Sequence, residues 1–221
     1  MNKKRIIDLR EVTLEEFRSF FFSADCQEFF KLGRWANDPC PILKVSPSLH
    51  ARRYSQLFGN GASLVGLYDD ETLENGCQAM FGPILPGNLA ELIWGQDISL
   101  GEKETLIHSM YVMYRDFFAV TPLETSCEMW WDPLAYSFNP MGTADPERNP
   151  EHRAIRNAMF ETLCEILNLD AQHCQVAALH GMNHVAHPKT EIVIEDYLKA
   201  HSNLDEELRG YARLCSAGQA L

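Results

Sequence analysis

Within SLGEKETLIHSMYVMYRDFFAV, residues 99–120, the apolar side chains Leu106, Met110, Met113, Tyr114 and Phe117 recur at helical spacing, and Ile107, Tyr111 and Phe118 widen the stripe. That spacing is the period of a helix with one broad buried face. The stretch is therefore expected to form a central, largely buried helix. It still contains Arg115 and Asp116, so it falls short of the roughly 20 apolar residues that a membrane span needs.

Upstream, Thr13-Leu14-Glu15-Glu16 reads as a capping box that opens a helix through Phe17, Phe20 and Phe21. A second short helix is expected around Phe29, Phe30 and Leu32, until Asn37-Asp38-Pro39-Cys40-Pro41 forbids regular helix. Ser46-Pro47 supplies an N-cap and a first-turn proline, and Gly59 a left-handed C-cap, for a helix over 47–58. Gly59, Gly61 and Gly66 lack the Gly-Lys-Ser/Thr of a phosphate loop, and read as a helix end and turn. Periodicity does not assign residues 61–68, and Gly82-Pro83 and Pro86-Gly87 mark turns beyond them.

Downstream, Thr121-Pro122 ends the central helix and begins another that carries Met129, Trp130 and Trp131 until Pro133 breaks it. The turn-rich stretch 139–150 separates an N-terminal helical region, 1–138, from C-terminal hairpins over 151–221. Helices are expected at 151–167, at 171–187 with Asp170 as N-cap, at 189–200, and from Asp205 to Ala217 with Gly218 as C-cap. The fold class is thus all-α, built of stacked antiparallel helical hairpins as a solenoid or an irregular bundle.

The 221 residues are 46% hydrophobic and 23% charged, which fits an ordinary globular protein with a sizeable core. Asp and Glu outnumber Lys and Arg by 31 to 19, for a net charge of -12. Such a balance argues against nucleic acid or an anionic membrane as partner, and favours a basic protein over an acidic one. The seven cysteines form no C-x-x-C pair and read as buried thiols of a reducing, cytoplasmic compartment. Asp8, Arg10 and Glu11 interrupt any apolar region after the basic start, so no secretion signal is expected.

In the C-terminal hairpins, Val176, Leu179, Met182 and Asn183 align with Leu208, Tyr211, Leu214 and Cys215 at a constant offset of 32 residues. The segments Gln175–Gly181 and Glu207–Leu214 resemble the second helices of HEAT-like repeats, over about residues 151–221 only. The resemblance implies an α-helical scaffold that binds other proteins, and it transfers no catalytic residue.

Four histidines, His173, His180, His184 and His187, fall on one stripe of the helix expected over 171–187, away from the apolar face centred on Met182. His180 and His184 have the i, i+4 spacing that can clamp a transition metal such as zinc, and His187 continues it at i+3. His180, His184 and His187 are the candidate metal ligands, although a single site using all three is awkward, because His180 and His187 lie about 10 Å apart along the axis. Only a pair completed by a remote carboxylate or thiolate would work. Gly181 stands where H-E-x-x-H metalloproteases carry their general base, which disfavours that class. The other readings of the stripe are a pH-responsive interface and a plain packed or solvated face.

Trp130 and Trp131 are adjacent, so one of them is expected to be an exposed interface anchor beside an acidic stripe of Glu124, Glu128 and Asp132. The same aromatic group, around Trp130 and Tyr111, is alternatively a small-ligand pocket. No Gly-x-Ser-x-Gly, Cys/His dyad or dinucleotide fingerprint occurs. The favoured reading is a cofactor-free scaffold that binds another protein; the alternative is a metal-dependent enzyme using His180 and His184.

Overall fold

The computed structural model describes residues 6–24, 26, 42–82, 85–123, 125–135 and 144–220. Strand β1 (Ile6–Asp8) precedes α1 (Leu14–Phe21), and β2 (Ile42–Lys44) precedes α2 (Pro47–Phe58). After a 3-10 turn at Gly61–Leu64 come α3 (Asp70–Phe81), α4 (Leu89–Trp94) and α5 (Leu100–Met113), which runs on as a π-helical turn, Tyr114–Phe118. A second 3-10 turn, Met129–Trp131, leads directly into α6 (Asp132–Ala135). The chain then forms α7 (Pro150–Leu167), α8 (Gln172–Val185), α9 (Thr190–Ala200) and α10 (Glu206–Ser216). The described residues are mostly helical, and β1 and β2, which the sequence did not announce, pair in parallel, Ile6 opposite Ile42. The short helix expected around Phe29 to Leu32 lies outside the described residues.

Helix α5 is central for the reason its pattern gives. Lys103, Leu106, Ile107, Met110 and Met113 are buried, with α2 packed on one side and α7 on another. The π turn, closed by the Ala119 amide on the Tyr114 carbonyl at 2.9 Å, brings Tyr114, Phe117 and Phe118 all into the core. A Cβ at Gly61 would lie 3.3 Å from Met113 Cα, so the first 3-10 turn packs close against this region. Buried Lys103 donates to the Gly95 carbonyl at 2.7 Å and to Glu151 at 2.5 Å, joining α4, α5 and α7. The pairing offsets the desolvation of its ammonium. One apolar cluster runs through elements on both sides of residues 139–150.

The ends of the helices follow local chemistry, with several departures. Thr13 and Glu16 form the expected capping box, and Ser99 and Glu102 form another. Asp69 caps α3 by accepting from the Thr72 amide, and Asn88 caps α4 by accepting from Glu91. Ser46 stands at the N-cap of α2, but its hydroxyl makes no capping bond. Gly59 is right-handed, φ −62°, and the left-handed turn falls at Gly66, φ 69°. Ala171, not Asp170, occupies the N-cap of α8. No helix starts at Pro122; residues 125–128 are turns, and Pro133 sits in the first turn of α6, where its missing amide costs nothing.

The last two hairpins place α8 beside α10. Met182 is fully buried, whereas its counterpart at an offset of 32, Leu214, is 47% exposed. No described helix is long and apolar enough to cross a membrane. Cys26, Cys77, Cys127, Cys174 and Cys215 are buried, Cys164 is half-buried, and Cys40 lies outside the described residues.

His50, on α2, is buried edge-on between Phe17 and Tyr54, and burial pushes its pKa down to about 4. The unfolded chain takes up the proton near pH 6.5 and the folded one only near about 4, so stability falls as pH drops through that window. The loss attributable to His50 should total about 3 kcal/mol. Urea unfolding between pH 7 and 4.5 checks it: His50→Leu should flatten the profile relative to wild type, and an unchanged slope refutes the assignment.

Candidate metal centre

His180 and His184 are one turn apart on α8, so both imidazoles leave the same side of the helix. Asp132, the first residue of α6, meets them there. His180 Nε2 lies 2.8 Å from Asp132 Oδ1, His184 Nε2 lies 3.4 Å from the same oxygen, and the two nitrogens are 3.2 Å apart. Among the described residues this is the one group of three or more His, Cys, Asp or Glu whose donors converge. Metal–ligand bonds of about 2.1 Å put neighbouring donors about 3.0 Å apart around an octahedral ion and about 3.4 Å apart around a tetrahedral one. The observed triangle covers that range. Asp132 Oδ1, His180 Nε2 and His184 Nε2 could thus hold one ion together, and would do so from one side of it.

Several contacts hold the two segments in place. Glu74 on α3 accepts from the Thr125 and Ser126 amides at 2.8 and 2.9 Å, and from the Ser126 hydroxyl. The Trp94 indole donates to the Leu134 carbonyl at 2.8 Å, fixing the far end of α6. Between the two histidines stands Gly181, where a Cβ would be 2.6 Å from Leu163 Cδ2 and 2.8 Å from Trp131 Cγ. Only glycine lets α8 approach the residue preceding Asp132 this closely. The residue that departs from the metalloprotease pattern is the one that seats the carboxylate.

The environment of the three donors is graded. The His180 side chain is 4% exposed, Asp132 and His184 about a fifth, so the group opens to solvent along its Asp132–His184 edge. Burial lowers the pKa of His184, partly offset by the Asp132 charge, and this favours the neutral imidazole that a metal requires. His180 Nδ1 lies 2.8 Å from the Tyr211 hydroxyl of α10. Burial raises the Tyr211 pKa, so the phenol stays protonated. Asn183 pairs with the Ala220 backbone in both directions, at 3.1 and 3.3 Å, tying the end of the described chain to the same helix.

His187 does not join them. Ala186, with φ 48° in the left-handed region, ends α8 at Val185 and turns the chain off the helical stripe. The His187 ring instead stacks on Phe160 at 3.9 Å, with Nε2 3.2 Å from Asn157 Oδ1. His173 points elsewhere too, with Nε2 2.7 Å from the Phe118 carbonyl of the π turn.

The expected exposed tryptophan is not found: Trp130 and Trp131 are both fully buried. Their segment is covered on two sides, so neighbouring residues that diverge still meet packed surfaces. Trp130 lies among Phe58, Phe81 and Phe118 and donates to Met110 Sδ at 3.4 Å, while Trp131 lies under α8. A cleft lined by Leu14, Glu15, Arg18, Leu57, Asn60 and Ser63 borders none of the metal-site residues. Of the acidic stripe, Asp132 turns toward the histidines, Glu128 is half-buried, and Glu124 lies outside the described residues.

Asp132 is the converging donor that sequence reasoning placed on a surface instead. The signal that could have found it was the demand for a remote carboxylate, but nothing in the spacing chose among 31 acidic residues. No known protein family, curated protein or solved structure matches the chain.

Gly181→Ala should destabilise the fold by about 1–3 kcal/mol, because the added methyl overpacks the contact with Leu163 and Trp131. Gly210→Ala on α10, where nothing lies within 4 Å of the new Cβ, should instead be neutral or stabilising by up to about 1 kcal/mol. Chemical denaturation of both variants tests this, and equal stabilities would contradict the proposed constraint.

Proposed function

We propose that the protein is a metal-dependent enzyme that holds one divalent transition-metal ion through Asp132 Oδ1, His180 Nε2 and His184 Nε2. The observation that carries the reading is the convergence of these three donors within 3.4 Å of one another. A hydrogen bond to Asp132 requires only one imidazole; the second nitrogen aimed at the same oxygen is what an ion needs. Two imidazoles with one carboxylate suit zinc, iron(II) or similar ions better than magnesium or calcium, which take oxygen ligands.

Three protein ligands on one face are the pattern of a catalytic centre, since structural zinc sites close their fourth position with protein. An ion so held keeps positions for water or substrate and acts as a Lewis acid. The partly exposed Asp132 and His184 form the edge from which a substrate would approach. The scaffold reading has less support, because both tryptophan anchors are buried and Asp132 faces inward.

The test is uptake of metal. Chelator-treated protein dialysed against zinc, cobalt(II), manganese(II) or anaerobic iron(II) should retain about one equivalent of its preferred ion, measured by elemental mass spectrometry. His180→Ala/His184→Ala should retain less than about a tenth of that, and Asp132→Ala should weaken affinity at least about tenfold. Wild-type protein that retains no stoichiometric transition metal refutes the proposal.

A further inference from the structure

The described residues place one more group on the centre from outside its two ligand-bearing helices. Both ring nitrogens of His180 are occupied: Nε2 faces Asp132 and His184, and Nδ1 faces the Tyr211 hydroxyl at 2.8 Å. A neutral imidazole carries a single N–H. For Nε2 to offer a lone pair to an ion, that hydrogen must sit on Nδ1, and Nδ1 is buried with the rest of the ring. A buried N–H without an acceptor costs about 1–3 kcal/mol, so the tautomer that binds metal needs an oxygen at this point. The phenol supplies it. A hydroxyl can also rotate between donating and accepting, so the phenol can present its lone pair to this ring.

We propose that Tyr211 is the positioning residue of the metal centre: its hydroxyl accepts from His180 Nδ1–H and holds the ring in the tautomer whose Nε2 lone pair faces Asp132 and His184. This inference rests on the metal reading above. It makes α10, which contributes no ligand, a determinant of affinity.

The experiment uses cobalt(II) with the full chain, comparing wild type with Tyr211→Phe. Two readouts are taken: affinity by chelator competition, and the hyperfine-shifted ring N–H signals of ligand histidines in proton NMR. Wild type should show one ring N–H, that of His180, exchanging slowly with water. Tyr211→Phe should bind cobalt about 10- to 100-fold more weakly and lose the slow signal. Its thermal midpoint in chelator, measured beside wild type, shows whether the fold is intact. If Tyr211→Phe does not fold, the wild-type spectrum decides alone: no slowly exchanging ring N–H overturns the inference, and its presence supports it. Wild-type affinity together with a retained slow signal in Tyr211→Phe overturns this inference and leaves the metal reading standing. A wild-type protein that takes up no cobalt overturns both.

Discussion

Helix α8 lies against the Trp131 indole with no room for a single methyl group between them. Everything that distinguishes this molecule is arranged around that approach. It buries α8 on nearly every side, from Cys174 through Val185. It sets the 3-10 turn and α6 at the height on α8 where one carboxylate meets two imidazoles. Close packing of this kind is stiff, because interiors are as dense as organic crystals and a displacement in one element passes to its neighbours. The site geometry is therefore a property of the core.

The polar contacts refine what the packing has placed. Glu74 binds the amides ahead of the 3-10 turn, Trp94 binds a carbonyl at the end of α6, and Asn183 binds the Ala220 backbone. Each joins segments far apart in sequence, and each gives a backbone group a hydrogen-bond partner. They surround a pair of histidines in which His180 Nδ1, His180 Nε2 and His184 Nε2 each face another polar atom. Groups held from several directions lose little freedom when a ligand arrives, which is the ordinary requirement for a preorganised centre.

Much of the helical architecture was legible in the sequence, because periodicity and caps are local. The stripe from Leu106 to Phe118 identified α5, Thr13 and Glu16 identified α1, and Asp205 identified the start of α10. The three-residue strands were not legible, since so short a run has no measurable alternation and its pairing depends on a distant segment. Helix α3 has a start signal in Asp69 with Asp70 and Glu71, but Asn75-Gly76 in its middle are poor helix formers that only tertiary packing overrides. Of the site, the His180–His184 pair could be read from its spacing alone. The inclusion of His187 failed on one left-handed residue, Ala186, a conformation that alanine rarely adopts and that no propensity would suggest. The expectation of an exposed tryptophan failed on tertiary packing, for a rule about angles on one helix says nothing of how many sides that helix has covered.

The contact between Asp132 and His180 closes a loop of 48 residues, and the one between His180 and Tyr211 closes another of 31. An ion at the first contact would act as a cross-link between distant parts of the chain, in the manner of a disulfide but reversible and set by metal availability. For a loop of that size the chain-entropy argument gives a staple worth about 4 kcal/mol against the unfolded state, comparable with the whole margin by which a domain stays folded. The supply of metal would then govern how long the protein survives unfolding and proteolysis as well as what chemistry it performs.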